Sequence, residues 1–425
     1  MNIHIQGGRV VDPAQQMDQV ADVFIADGKI AAIGKVPDGF KADRTLDARG
    51  CVVCPGLVDL SARLREPGNE YRANLESEMA AAVAGGVTSL ACPPDTEPVL
   101  DEPGLVEMLV HRARTLNLAR VYPHGALTVK LEGKAVTEMG ELAEAGCVAF
   151  SQANQPVRDT LVLFRTLQYA ATFEHVVWLQ PTDSFLSQKG VAHDGEVASR
   201  LGLAGIPVLA ETVAIATVVQ LMRESGARVH LARISSAAGL ALVQQARAEG
   251  LPISCDVNVH HLHLSDMDIG FFNPHCRMNP PLRSQADRDA LRRGLANGQI
   301  DAVCSDHTPV DDDAKQLPFA EAEPGATGLE LLLPLTLKWG QEMKLSLPQT
   351  LARITCDAAR VLGIDAGHLR VGAEADVCIF EADTMQRVTR DSLRSHGKNS
   401  PFLGYEVPSR VRATLVSGQV VFQQA

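Results

Sequence analysis

Thirteen histidines are enough to build a metal centre. His260, His261 and His263 stand close together, although hydrogen bonding is the commoner role for such a cluster. Nine cysteines are scattered without framework spacing, and Cys51 and Cys54 form a lone CxxC. Zinc would need a second pair, and a redox pair usually opens a helix, whereas Pro55-Gly56 follows here. The cysteines therefore read as reduced thiols of a cytoplasmic protein. No G-x-S-x-G or Walker sequence offers another chemistry.

These residues need elements to position them. Short apolar strand candidates run over Leu57–Leu60, Thr88–Ala91, Val121–Ala126, Cys147–Phe150, His175–Leu179, Arg228–Ala232, Ile253–Val257 and Asp301–Cys304. Helical stretches lie between them, at Asn74–Ala84, Asp159–Thr172, Glu211–Ser225, Ser236–Glu249 and Ser284–Asn297, with Gly328–Trp339 after the last strand. Eight strands alternating with helices predict an α/β fold, a (β/α)8 TIM barrel over residues 55–367. An open doubly wound sheet is the alternative, but no Gly-rich dinucleotide fingerprint follows the first strand. Both ends of the chain read as short β-strands with glycine turns. Residues 1–54 and 368–425 therefore predict one small β-sandwich domain built from both termini.

Composition bounds the function. The 425 residues carry 39 Lys and Arg against 51 Asp and Glu, a net charge of −12. That balance, with 4% aromatics, argues against nucleic-acid and membrane-surface partners. Met1-Asn2-Ile3-His4-Ile5 has no charged leader pattern, and no run approaches the roughly 18 apolar residues of a membrane span. The expectation is a cytoplasmic protein.

Leu64-Arg65-Glu66-Pro67-Gly68, Asn279-Pro280-Pro281-Leu282-Arg283, Ser305-Asp306-His307, Gly372-Ala373-Glu374-Ala375-Asp376 and Gly397-Lys398-Asn399-Ser400-Pro401-Phe402 occur in that order. With the opening strands, they make the chain resemble a type I dihydroorotase of the cyclic amidohydrolase superfamily, from end to end. The resemblance implies a barrel with a metal centre at the C-terminal ends of its strands and a β-sandwich from both termini. In such enzymes zinc activates water and polarises an amide carbonyl. An Asp after strand eight moves the proton.

The resemblance also exposes what this sequence lacks. Ser61 and Arg63 stand where a His-x-His pair belongs on strand one. Gln152-Ala153 replaces an Asp pair, with Ala153 at the ligand position. Gln180 and Arg233 replace the histidines of strands five and six. Asp306 alone is kept. Arginine stays charged and has no acceptor atom, so two arginines oppose a metal rather than hold it. The expectation is no cofactor, the zinc having been lost. Arg63, Arg233 or both are expected to pair with Asp306 and plug the mouth.

The substrate pocket is half retained under the same resemblance. Arg65 matches a carboxylate-gripping Arg, Asn279 a substrate-binding Asn, and His307 is kept, although ion-pairing and loop-pinning roles inherited with the fold are the commoner reading for all three. Asp95 replaces an Asn and Val310 a His. The segment 310–324, which covers substrate in the family, is expected to be mobile or to form part of a partner interface.

The resemblance is greatest to the inactive dihydroorotase-like chains that accompany aspartate carbamoyltransferase in some bacteria. It implies a catalytically inactive subunit supporting assembly and activity of aspartate carbamoyltransferase catalytic chains in pyrimidine biosynthesis, as a homodimer within a hetero-oligomer. The alternative is an amidohydrolase acting on cyclic amides through a metal-free or mononuclear site, with Asp306 as base and Arg65 as anion clamp. A regulatory module that senses a ligand at the mouth is a third reading.

Overall fold

A computed structural model describes residues 1–424. Eight parallel strands lie side by side in sequence order: Leu57–Asp59, Val87–Cys92, Arg120–Ala126, Ala149–Ser151, Val176–Leu179, Arg228–Leu231, Ile253–Asn258 and Ala302–Cys304. All eight fall on the apolar runs expected to form them. The order never reverses, as it would in a doubly wound sheet. The second strand, Val-Thr-Ser-Leu-Ala-Cys, is buried throughout, as befits a parallel strand covered on both sides.

The seam between the first and last strands closes without a regular ladder. At one end Val58 N–H donates to Ile354 O and Val303 N–H to Arg353 O, both at 2.9 to 3.1 Å. At the other, Ala62 and His307 form a parallel bridge. The helix Cys356–Leu362 closes the floor: its Ala358, Ala359 and Leu362 pack with Val58, Leu60, Ala91, Trp178 and Ala302.

Helices cover the barrel, and their ends follow local chemistry. Asn74 caps Leu75–Ala84 through Ser77 N–H at 2.8 Å, and the Ser77 hydroxyl faces Asn74 N–H in return, a capping box worth about 1 kcal/mol. Leu209–Ser225 ends where Gly226 turns left-handed at φ +68°. Pro103–Leu116, with proline at its start, was not among the expected helices.

The two ends of the chain form one eight-stranded sheet. Ile3–Asp12 pairs with Met17–Ala26, Arg44–Asp47 and Val52–Pro55, and the last of these pairs with Val377–Arg387. Lys29–Ile33, on Met17–Ala26, and Glu406–Val416 with Gln419–Gln423 complete it. Its own core gathers Ile3, Ile5, Ile25, Val53, Val377 and Leu415. Cys51 and Cys54 are buried free thiols there, and the described residues contain no disulfide. No helix of the described residues is long and apolar enough to cross a membrane.

The segment 310–324 differs from its expectation of mobility. It contains a short helix, Asp312–Gln316, and is held from several sides. Lys315 Nζ donates to Pro274 O at 3.0 Å and Arg277 O at 3.4 Å. Arg277 Nη1 returns to Phe319 O and Ala320 O, and Arg72 pairs with Glu323.

Candidate functional site

Four non-glycine residues at the barrel mouth adopt left-handed backbone: Arg65 (φ +63°), Ala153 (+50°), Arg233 (+58°) and Asp306 (+45°). Such turns cost of order 1–3 kcal/mol each and collect at functional sites. They re-aim side chains just past the ends of strands one, four, six and eight.

Two of these residues, Arg233 and Asp306, meet Arg63 and Asn154 in a closed ring. Arg63 Nη1 donates to Asp306 Oδ1 at 3.2 Å and Arg233 Nη1 donates to the same oxygen at 2.7 Å. Arg63 Nη2 and Arg233 Nη2 then share Asn154 Oδ1, at 3.0 and 2.8 Å. Two cations thus face one another across one carboxylate oxygen and one amide oxygen. Asp306 Oδ2 accepts from Asn258 Nδ2 at 3.0 Å. Asp95 Oδ2 takes Arg63 Nε at 2.8 Å. The two arginines and two aspartates sum to no net charge, which is what permits their burial.

Both arginines therefore pair with Asp306, as expected, but not bidentately: they converge on one oxygen. Burial alone would lower the Arg63 pKa, and Asp95 and Asp306 outweigh it and raise it. Burial alone would raise Asp95; the Arg63 guanidinium outweighs it and holds the carboxyl low. Asp95 thus neutralises Arg63 rather than simply opposing an anionic ligand.

The other replaced positions are equally occupied. Gln180 Oε1 accepts from Arg233 Nη2 at 3.3 Å, and its Nε2 donates to Asn279 Oδ1 at 2.9 Å. Ser61 serves the seam through its carbonyl, which accepts His307 N–H. Gln152 turns to Thr128 and Leu131 O. Ala153 packs with Ala126 and Leu131.

These residues do not fit a divalent metal. Ala153 has no donor atom, and the cationic nitrogens of Arg63 and Arg233 cannot coordinate. Asp306 has both oxygens engaged. Among the described residues, no three His, Cys, Asp or Glu side chains converge as a metal set.

The pocket remnants divide. Arg65 is buried with Nε on Pro309 O at 2.8 Å, and its terminal nitrogens find no acceptor among the described residues. Burial, then the neighbouring Arg63, bring its pKa down to about 10. Asn279 lines a cavity of 210 Å3 with Asn154, Arg277 and Arg283.

His307 does not line the pocket and takes instead the ion-pairing and loop-pinning place that is the commoner reading for it. It points behind the mouth, where Nδ1 accepts Gly328 N–H at 3.0 Å and Nε2 donates to Glu78 at 2.5 Å. Glu78 also accepts the Ser395 hydroxyl and His396 N–H. Burial would raise the Glu78 carboxyl; these donors outweigh it and hold it low.

His260, His261 and His263 are buried and bonded mainly to backbone carbonyls, the hydrogen-bonding role expected of them. Burial lowers their pKa values to about 3, 4 and 4. Sequence reasoning missed Asn154, Asn258 and Glu78. Asn154 adjoins Ala153 and Asn258 ends the seventh strand, so both occupied legible strand ends. Glu78 lies inside a helix and carried no such signal.

Comparison with known proteins agrees with this architecture. A dihydro-orotase-like family model matches residues 50–238, and an amidohydrolase family model matches residues 183–422. A dihydroorotase-like protein of Pseudomonas aeruginosa is 47% identical over 423 residues, covering 100% of both chains. A protein named dihydroorotase from Geobacter sp. (strain M21) is 41% identical over 100% of both. The L-hydantoinase (dihydropyrimidinase) of Arthrobacter aurescens superposes with a TM-score of 0.89 at 26% identity, over 100% of this chain and 96% of that one. By relatedness along its full length, and by the barrel it shares, this chain belongs to the dihydroorotase-like family of amidohydrolases.

Proposed function

We propose that this chain is a catalytically inactive dihydroorotase-like subunit. It binds no zinc, and it supports the assembly and activity of aspartate carbamoyltransferase catalytic chains as a homodimer within a cytoplasmic hetero-oligomer. One observation carries the reading: the Arg63 and Arg233 guanidinium groups fill the mouth and share Asp306 and Asn154. A proton shuttle needs an accessible carboxylate near reacting atoms. Here one oxygen serves two arginines and the other serves Asn258. The intact core around this filled mouth supports a role carried by surface rather than turnover.

A second reading rests on Arg65, whose terminal nitrogens lack protein acceptors. It is an amidohydrolase acting on cyclic amides without a full metal centre. It requires the plug to open and release Asp306.

The test is co-expression with an aspartate carbamoyltransferase, followed by sizing, metal analysis and dihydroorotase assay. The expected result is a joint assembly with no zinc and no dihydroorotase turnover. A transferase fully assembled and active without this chain would refute the assembly role. Turnover abolished by Asp306→Asn would establish the second reading.

A further inference from the structure

A second cavity lies outside the barrel, between the terminal sheet and the helices Leu75–Ala84 and Leu332–Glu342. Its volume is 560 Å3, within the roughly 300–1,000 Å3 of small-molecule pockets. It shares no lining residue with the mouth. Leu331, Pro334, Val411 and Phe422 give it an apolar wall.

Three arginines line the other side: Arg387, Arg394 and Arg410. None has a carboxylate within ion-pair distance among the described residues, whereas Arg390 and Arg412 nearby each have one. Arg394 lies over the Phe422 ring, 5.9 Å from its centroid. The lining holds two acids: Asp391 is exposed, and Glu330 is buried and already engaged by Arg394 N–H at 2.7 Å and Ser395 N–H at 3.0 Å. Glu330 fixes the wall rather than neutralising the guanidinium groups.

Ser409 supplies an independent sign. It is 1% exposed, its hydroxyl has no hydrogen-bond partner, and it lines this cavity. A buried hydroxyl left unmatched costs about 1–3 kcal/mol, so a native partner is to be expected. Its backbone is also left-handed, at φ +76°, where the ladder to the neighbouring strand slips register. An acceptor-rich anion with an apolar body satisfies every one of these groups at once. Guanidinium forks match phosphate oxygens, the hydroxyl donates to another, and the apolar body lies on the wall of Leu331, Pro334 and Val411.

We propose that this cavity is a binding site for an organic phosphate of nucleotide size, held by Arg394, Arg410 and Ser409. The test is isothermal titration of the full chain with ATP, adenosine and inorganic phosphate as probes, at about 0.1 M salt to screen surface attraction. Saturable one-to-one binding of ATP is expected, with adenosine and inorganic phosphate each at least tenfold weaker. The double substitution Arg394→Ala/Arg410→Ala should weaken ATP tenfold or more, and Ser409→Ala about two- to tenfold. Arg65→Ala should leave it unchanged, which separates this cavity from the barrel mouth. No saturable ATP binding, or binding indifferent to the double substitution, overturns the proposal. So does binding lost with Arg65→Ala, or inorganic phosphate binding as tightly as ATP.

Discussion

Arg233 Nη1 stands 2.7 Å from Asp306 Oδ1, with the two side chains only 4% and 6% exposed. The pair links the sixth and eighth strand ends where a water-filled catalytic mouth would otherwise lie. Removing Arg233 leaves Arg63 as the one cation shared by Asp95 and Asp306, so the ring keeps an uncompensated negative charge. Arg233→Ala should cost about 3–5 kcal/mol in urea unfolding. The joint change Arg233→Met/Asp306→Leu should cost much less than the sum of the single changes. Equal additive losses would mean that the two groups are not coupled.

Restoring the missing donors tests whether the mouth keeps the shape of a metal centre. The fivefold change Ser61→His, Arg63→His, Ala153→Asp, Gln180→His and Arg233→His should acquire stoichiometric zinc by elemental analysis. The single change Arg63→His should not, because the Arg233 guanidinium and the other altered positions remain. A folded fivefold variant without zinc would show that the backbone has drifted from coordinating geometry.

Acid should unfold this chain through its buried imidazoles. Burial holds His260, His261 and His263 to about 3, 4 and 4, below their ordinary 6.5. A depressed folded pKa means that the unfolded chain takes up the protons first. Stability is therefore full above pH 6.5 and declines as pH falls toward 4. At pH 5 the loss is about 2 kcal/mol per histidine. Thermal melts at pH 7.5, 6 and 5 check the direction. His261→Gln should flatten part of the slope, and an unchanged slope in every such variant would refute the assignment.

Glu78 is the hub between barrel and terminal segment, since its carboxylate holds His307, Ser395 and His396 N–H. Glu78→Ala strands two buried donors, of His307 and Ser395, and a part-buried one, of His396, and should cost at least about 3 kcal/mol. Glu78→Gln keeps the shape and one acceptor oxygen, and should lose less. Hydrogen exchange at residues 395–396 should rise in the alanine variant more than in the glutamine one.

The barrel was legible because its strands are short, apolar and regularly spaced. Gly28 and Gly418, in the turns at the two chain ends, likewise disclosed the terminal sheet. Arg63, Arg233 and Asp306 were readable as a plug once the resemblance set all three at the barrel mouth, where opposite charges must pair. How they share oxygens was not, because Asn154, just past strand four, reads as an ordinary loop residue until the fold brings Arg63 and Arg233 to within 3.0 Å of its Oδ1. The partner of His307 was hidden for a related reason: the sequence gives its neighbour, Asp306, but not the opposite directions the two side chains take. The segment 310–324 reads as a loose acidic loop. Its order comes from Lys315 and Arg277, each bonding to the other's backbone neighbourhood.

The seam between the first and eighth strands has a consequence for biosynthesis. Val58 must wait for the carbonyl of Ile354, and Val52–Pro55 must wait for Val377–Arg387. A chain emerging from the ribosome therefore carries an unclosed sheet edge through most of its translation. Exposed strand edges invite pairing with other chains. The demand for chaperone protection should fall only once residues near 380 have left the exit tunnel, and slowing translation before that point should raise aggregation rather than yield.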